Sequence, residues 1–198
     1  MGIGHYLKEI GRGKDGARPL TREQAADLLG QVLDAKVSDL EIGAFCLAMR
    51  IKGETPEEMA GFLDAVHTRL NLLPAVDQQT TVVIPCYNGA RKLPALAPLL
   101  ALLLCQQGVR VCLHGTPTEN SRTTSFDVLE ALGYKALTQI DQAQTGLNIL
   151  PTELLSPALK KLLDVRRVVN LRNPAHSLVK LMNPCSHPAL VVGSYTHP

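Results

Sequence analysis

The stretch Val82-Val83-Ile84-Pro85-Cys86-Tyr87-Asn88-Gly89-Ala90-Arg91-Lys92 constrains the fold more than any other. Val82 to Ile84 are β-branched and apolar, and Pro85 ends the run, so they read as a short buried strand. Asn88-Gly89 is a turn signal. Leu93-Pro94 then leads into an apolar helix over 94–107, with Leu96, Leu99, Leu100, Leu103 and Leu104 on one face. Strand, glycine-bearing loop and helix together are the layout of an anion site, because loop and helix N-terminus present unpaired N–H groups. Arg91 and Lys92 add positive charge there. The anion itself stays open: a nucleotide, a sugar phosphate or a nucleic-acid backbone.

The same rhythm continues downstream. Gly108 separates the helix from a strand at 109–113, a loop at 114–122 precedes a helix near 124–132, and Gly133 closes it. Short strands are expected near 135–138 and 148–150. Strand–helix–strand repetition predicts a mostly parallel sheet with helices on its faces, and ligands then bind beyond the carboxyl ends of the strands. That singles out loops 86–93 and 114–122. The second runs from His114-Gly115-Thr116-Pro117 to Arg122 and on to Ser125; its hydroxyls fit ligand contact and helix capping equally well. Ser156-Pro157 opens a helix running to about Asp164, Pro174 one over 175–182, and Ala189 to Val192 reads as a strand.

Upstream, residues 3–70 read as helical. Thr21 with Gln24, Ser38 with Glu41 and Thr55 with Glu58 each match a capping box, and Pro56 fits the first helical position of the third. The stripes Ala25, Leu28, Leu29, Val32; Ile42, Phe45, Cys46, Met49; and Met59, Phe62, Leu63, Val66 describe a small helical bundle, and they read as core. The glycines of Gly11-Arg12-Gly13-Lys14-Asp15-Gly16 follow no strand, which weakens any phosphate-loop reading. Asn71 to Thr81 is a polar connection. The expectation is therefore an α/β protein. Residues 1–72 are a helical domain, with 155–183 packing back onto it. Residues 80–152 and 188–198 form an incomplete, mostly parallel α/β domain. A strand feeding Ser194-Tyr195-Thr196-His197 should lead to a crossover helix and more sheet, so the sequence reads as cut in mid-domain at Pro198.

With 198 residues and 45% of them hydrophobic, the chain is too apolar for general disorder. Its longest apolar run, Leu93 to Cys105, is too short for a membrane span. The start of the chain lacks a signal-peptide pattern. Five cysteines, none in a CxxC pair, read as reduced thiols of a cytoplasmic protein, and the histidines show no metal-ligand spacing. A net charge of +2 is too small to argue for nucleic acid. Its distribution is more pointed: between Pro157 and Pro184, Lys160, Lys161, Arg166, Arg167, Arg172 and Lys180 face Asp164 alone. Taken alone, such a run reads as solvated helix faces ahead of a polyanion surface.

Three segments, in order, resemble the anthranilate phosphoribosyltransferase family and its nucleoside-phosphorylase relatives: the strand–loop 82–92; His114-Gly115 through Asp127-Val128-Leu129-Glu130-Ala131-Leu132-Gly133; and Asn170-Leu171-Arg172-Asn173-Pro174 through Asn183-Pro184. In that family the first loop is Gly-Thr-Gly-Gly-Asp and wraps the pyrophosphate of phosphoribosyl pyrophosphate. Here Tyr87-Asn88-Gly89-Ala90-Arg91 keeps one glycine. The family's Lys-His-Gly-Asn-Arg becomes Leu113-His114-Gly115-Thr116-Pro117, and its Asp-Glu magnesium pair has no counterpart before Pro198. A pyrophosphate-leaving reaction needs Mg²⁺ to offset the departing charge. The substituted loop, with Leu171-Arg172-Asn173-Pro174-Ala175-His176-Ser177-Leu178, is instead similar to the YbiB-type branch.

That resemblance implies sequence-independent binding of nucleic acid, DNA in particular, in a basic groove, no cofactor, no transferase chemistry, and a homodimer joined through the helical domain. The phosphate contacts it implies are Tyr87, Asn88, Gly89, Arg91, Lys92, His114, Arg122, Arg166, Arg167, Arg172 and Lys180. With only 4% aromatic residues, base stacking would add little. The alternative is a phosphoribosyltransferase using Mg²⁺ and phosphoribosyl pyrophosphate on an unknown acceptor, its site lined by Asn88, Gly89, His114 and Ser125. A third possibility is an interaction module that dimerises through the bundle and binds nothing else.

Overall fold

The computed structural model describes residues 2–76, 79–87, 89–90, 95–117 and 122–193. The chain divides into two compact units, Met1–Arg69 with Ala158–Leu178, and Leu70–Pro157 with Val179–Pro198.

The first unit contains α1 (Gly4–Ile10), α2 (Arg22–Leu33), α3 (Asp39–Lys52) and α4 (Pro56–His67), then most of α8 (Pro157–Val169) and the short α9 (Ala175–Leu178). All three expected capping boxes form, each satisfying two amides that the first helical turn leaves open. Each cap is worth about 1 kcal/mol. Phe45, Phe62, Leu28, Leu29, Met49 and Val66 are buried, and Phe45 meets Phe62 edge-to-face at 6.0 Å. Helix α4 approaches α2 at Gly61, where a Cβ would lie 2.1 Å from the Arg22 carbonyl oxygen. Glu58 does more than cap. It is fully buried, accepts from the backbone N–H groups of Leu20 and Thr55, both at 2.9 Å, and pairs with Lys52 Nζ at 2.6 Å. The carboxylate therefore has partners for its lone pairs as well as for its charge.

The second unit is built on β1 (Thr81–Pro85), β2 (Arg110–Gly115), β3 (Leu147–Pro151) and β4 (Leu190–Val191), all parallel, in the order β3-β2-β1-β4. Helices α5 (Ala97–Gln106), α6 (Ser125–Ala131) and α7 (Thr152–Leu155) complete it. Val82, Ile84, Val111, Leu113 and Ile149 form one core with Ala101 and Leu129. The alternate residues Val83, Arg110, Cys112, His114, Asn148 and Leu150 point to the opposite face and are also fully buried. This is a parallel sheet covered on both sides, as such sheets require.

Four local expectations differ from the structure. The segment 135–138 is not a strand. Thr138 and Gln139 donate their backbone N–H groups to the Gln142 side chain, and only the Leu137 N–H reaches β3, at the Ile149 carbonyl, so turn chemistry wins over pairing. Helix α5 starts at Ala97 rather than Pro94, and its leucine stripe faces outward: Leu96, Leu99, Leu100 and Leu103 are exposed, while Ala101 is buried and Ala97, Leu104 and Cys105 pack on the core. Helix α8 continues to Val169, and α9 ends at Leu178.

Candidate functional site

The carboxyl ends of β1 and β2 carry the two loops that the sequence singles out. They are pinned to each other. The Cys86 N–H donates to the His114 carbonyl at 2.7 Å, and the Ala90 N–H to the Thr123 carbonyl at 2.8 Å, an isolated antiparallel bridge. Gly89 sits where the loops touch: a Cβ there would lie 2.6 Å from Arg122 Cβ and 2.8 Å from the Thr123 carbonyl oxygen. Only glycine fits without displacing backbone. Arg122 is half-buried, and its Nη1 is 3.5 Å from the Gly89 carbonyl. Two of the amides that could cradle an anion are thus bonded to the protein. Helix α5 does not follow the loop directly, and its second residue, Pro98, has no N–H. The amide-lined anion site expected from strand, loop and helix is therefore only partly present among the described residues.

The structure brings Tyr87 and His114, two of the expected contacts, into direct hydrogen-bond contact, and both are buried. The Tyr87 hydroxyl lies 2.9 Å from His114 Nδ1, the rings meet edge-to-face, and Thr152 Oγ1 donates to the same hydroxyl at 3.0 Å. One assignment satisfies all three groups: Thr152 donates to Tyr87, Tyr87 donates to Nδ1, and the imidazole proton resides on Nε2. Burial depresses the His114 pKa to about 3, with a contact to the Met182 backbone opposing it weakly. Burial likewise raises the Tyr87 pKa. His114 is neutral near pH 7 and offers an anion no charge. Buried and bonded to each other, these two residues support the loops from within, and Thr152, which completes the chain, carries no sequence signal of its own.

The other expected contacts divide between the units. Gly89, Arg122 and Lys180 belong to the sheet unit with Tyr87 and His114; Arg166, Arg167 and Arg172 belong to the helical unit. Arg167 and Arg172 are exposed, and Arg167 Nε pairs with Asp164 at 3.1 Å. Lys160 pairs with the same carboxylate. Asn88, Arg91 and Lys92 lie outside the described residues. Ser125 is buried at the start of α6, beside the Cys86 thiol, whose pKa burial pushes up to about 11 against that hydrogen bond. Thr124 and Asp127 form a fourth capping box there, so the hydroxyls at this end of the loop serve the helix.

Among the described residues no group of three His, Cys, Asp or Glu side chains could hold a metal ion. No helix is long and apolar enough to cross a membrane.

Residues 5–69 match the family described as glycosyl transferase family, helical bundle domain. The uncharacterized protein YbiB of Escherichia coli is 40% identical over 97% of this chain and 62% of its own length. Anthranilate phosphoribosyltransferase of Methanosarcina acetivorans is 33% identical over 98% of this chain and 53% of its own length. The chain thus spans between half and two thirds of these relatives. Among solved structures, anthranilate phosphoribosyltransferase from Thermus thermophilus superposes with a TM-score of 0.76 at 24% identity, covering 91% of this chain and 55% of that one. The Saccharomyces cerevisiae enzyme in complex with phosphoribosyl pyrophosphate and Mg gives 0.73 at 15% identity, over 93% and 56%.

Proposed function

Because the chain is a homologue of YbiB and of the anthranilate phosphoribosyltransferases, with their phosphoribosyltransferase-like fold, we propose that it recognises phosphate, and that its ligand is a nucleic-acid backbone held by side-chain cations. The pinning of the loop at Gly89 carries this reading. A compact pyrophosphate bound by backbone amides needs a loop with free N–H groups and open glycines, whereas here Ala90 bonds Thr123 and Gly89 is packed under Arg122. What the loop offers in their place is the charge of Arg122 and, by sequence, of Arg91 and Lys92. Fixed cations neutralise successive phosphates and release counterions without reading bases. The exposed end of α8, with Arg167 and nearby Arg172, supplies the same chemistry on the helical unit. The partner assembly is a homodimer through that unit, supported by Leu40, Leu47 and Ile51, which are exposed along α3 at spacings of seven and four.

Phosphoribosyl transfer is the second reading, and by the names of the relatives it stands ahead of the first. Among the described residues no group of three His, Cys, Asp or Glu side chains could hold the Mg²⁺ it would use.

The test is a binding titration of the chain with two DNA duplexes of unrelated sequence over a range of salt, beside calorimetry with phosphoribosyl pyrophosphate and Mg²⁺. Equal affinity for both duplexes, with log affinity falling linearly against log salt, supports the first reading. Heat and pyrophosphate release with the small ligand, and no DNA binding at low salt, would replace it with the second.

A further inference from the structure

The face of β2 that carries His114 also carries Arg110 and Cys112, four and two residues earlier, with Arg110 at the end of the strand opposite the loops. Arg110 is 0% exposed. Its Nη1 donates to the Pro74 carbonyl at 2.8 Å, whereas Nε and Nη2 are buried with no hydrogen-bond partner, and no carboxylate pairs with it among the described residues. A guanidinium cannot shed its charge, so a buried one needs an anion. Two sulfurs lie within its field. Cys112 is fully buried and Cys185 nearly so, 6% exposed, and their Sγ atoms are 3.8 Å apart although 73 residues separate them. Cys185 is fixed by its backbone: the segment 184–186 pairs with Leu73, whose N–H donates to the Pro184 carbonyl and whose carbonyl accepts from the Ser186 N–H, at 2.9 and 3.0 Å.

We propose that Cys112 and Cys185, with Arg110 as counter-charge, form a peroxide-sensitive dithiol that closes to a disulfide. Of the five cysteines Cys185 alone is driven toward the thiolate, by its hydrogen bond with Cys112 and by the Arg110 charge; Cys46, Cys86, Cys105 and Cys112 are all pushed the other way. Thiolate is the form that reacts with peroxide. The Cys185 sulfur attacks one oxygen of hydrogen peroxide, the O–O bond breaks, and hydroxide leaves, taking a proton to become water. Cys185 is then a sulfenic acid. The Cys112 sulfur attacks Cys185 Sγ, the S–O bond breaks, and hydroxide departs as water with the Cys112 proton. Two thiols are oxidised and one peroxide is reduced to two waters. The sulfurs must close from 3.8 Å to the ~2.05 Å of a disulfide, a shift within reach of side-chain rotation and small adjustment of the 184–186 segment.

The experiment treats the native full chain with hydrogen peroxide and maps peptides without reduction. The expected product is a Cys112–Cys185 linkage formed before any change at Cys46, Cys86 or Cys105. In Cys112→Ser, Cys185 should instead accumulate as sulfenic acid and be captured by dimedone. Arg110→Gln should slow the reaction of Cys185 with iodoacetamide about tenfold, and Arg110→Lys, which keeps a charge, should restore much of it. Circular dichroism of each variant separates lost reactivity from lost structure. A linkage seen only after denaturation, or oxidation spread evenly over the five thiols, would overturn the proposal. So would an Arg110→Gln variant that is folded and reacts at the unaltered rate.

Discussion

The Tyr87 hydroxyl and His114 Nδ1 share a hydrogen bond of 2.9 Å, inside the sheet unit and out of reach of solvent. That bond joins the loop after β1 to the body of β2. Thr152 supplies the third member of the chain, so the carboxyl ends of β1 and β2 and the start of α7 are held together by one hydroxyl.

Tyr87→Phe removes that hydroxyl and leaves Thr152 Oγ1 and His114 Nδ1 buried without it. The expected loss is about 1–3 kcal/mol of unfolding free energy. Urea denaturation should show a lower midpoint at unchanged slope. A midpoint equal to that of the unmodified chain would mean that the hydroxyl contributes nothing net.

The neutral His114 gives stability a definite pH dependence. Its pKa is about 3 in the fold and near 6.5 when unfolded, so between those values the unfolded chain binds the extra proton. Stability is full above about pH 6.5 and falls as pH drops toward 3, by at most about 1.4 kcal/mol per pH unit. Half-buried His67, also lowered by burial with Asp64 opposing, adds slope of the same sign in the same window. Asp34, Asp64 and Glu41 are lowered by their hydrogen bonds, chiefly from Arg69, Arg22 and Ser38 respectively, and contribute only at lower pH. Denaturation curves from pH 7 to about pH 5 should therefore show a shallower slope for His114→Gln than for the unmodified chain.

Gly89→Ala places a methyl group within 2.8 Å of Arg122 Cβ and the Thr123 carbonyl, closer than packing permits. The bridge from Ala90 to Thr123 should break, at a cost of about 1–3 kcal/mol. Hydrogen exchange at the Ala90 amide reports it directly: protection should be lost there while amides in β2 keep theirs.

Glu58→Ala strands Lys52 and two amides inside the helical unit and should cost about 3–5 kcal/mol. Lys52→Ala alone leaves a buried carboxylate with two N–H donors and should cost less. The double variant should be more stable than the sum of the single effects, because the charges no longer need each other. Additive losses in a double-mutant cycle would show that the pair is not coupled.

Arg91→Ala with Lys92→Ala tests the nucleic-acid reading. Affinity should fall alike on both duplexes, and the slope of log affinity against log salt should shrink by about 2. A change confined to one duplex would indicate base contact rather than phosphate contact.

Local chemistry was readable from residues alone wherever neighbours in sequence decide it. The capping boxes at Thr21, Ser38 and Thr55, the apolar run at β1 and the change of rhythm near residue 81 all rest on side chains within a few positions of one another. The leucine stripe of α5 was legible as a stripe but not in its direction, since a helix of such even apolarity does not specify which side meets the sheet. The β2 pattern of Arg110, Cys112 and His114 between apolar residues was a visible signal of a polar strand face, and its spacing could have suggested that the three share a side.

The sequence by itself determined the two classes of unit, the parallel α/β character of the second and the charge carried by its loops, because propensity, periodicity and composition act locally. Only the tertiary structure decided which groups face inward. Tyr87 and His114 are polar residues in a loop and at a strand end; only the fold shows that both are buried and share a hydrogen bond. Cys112 and Cys185 look like unrelated thiols 73 residues apart; parallel pairing brings their sulfurs to 3.8 Å beside a buried guanidinium. Pairings of that separation depend on register and packing, which no short window of sequence contains.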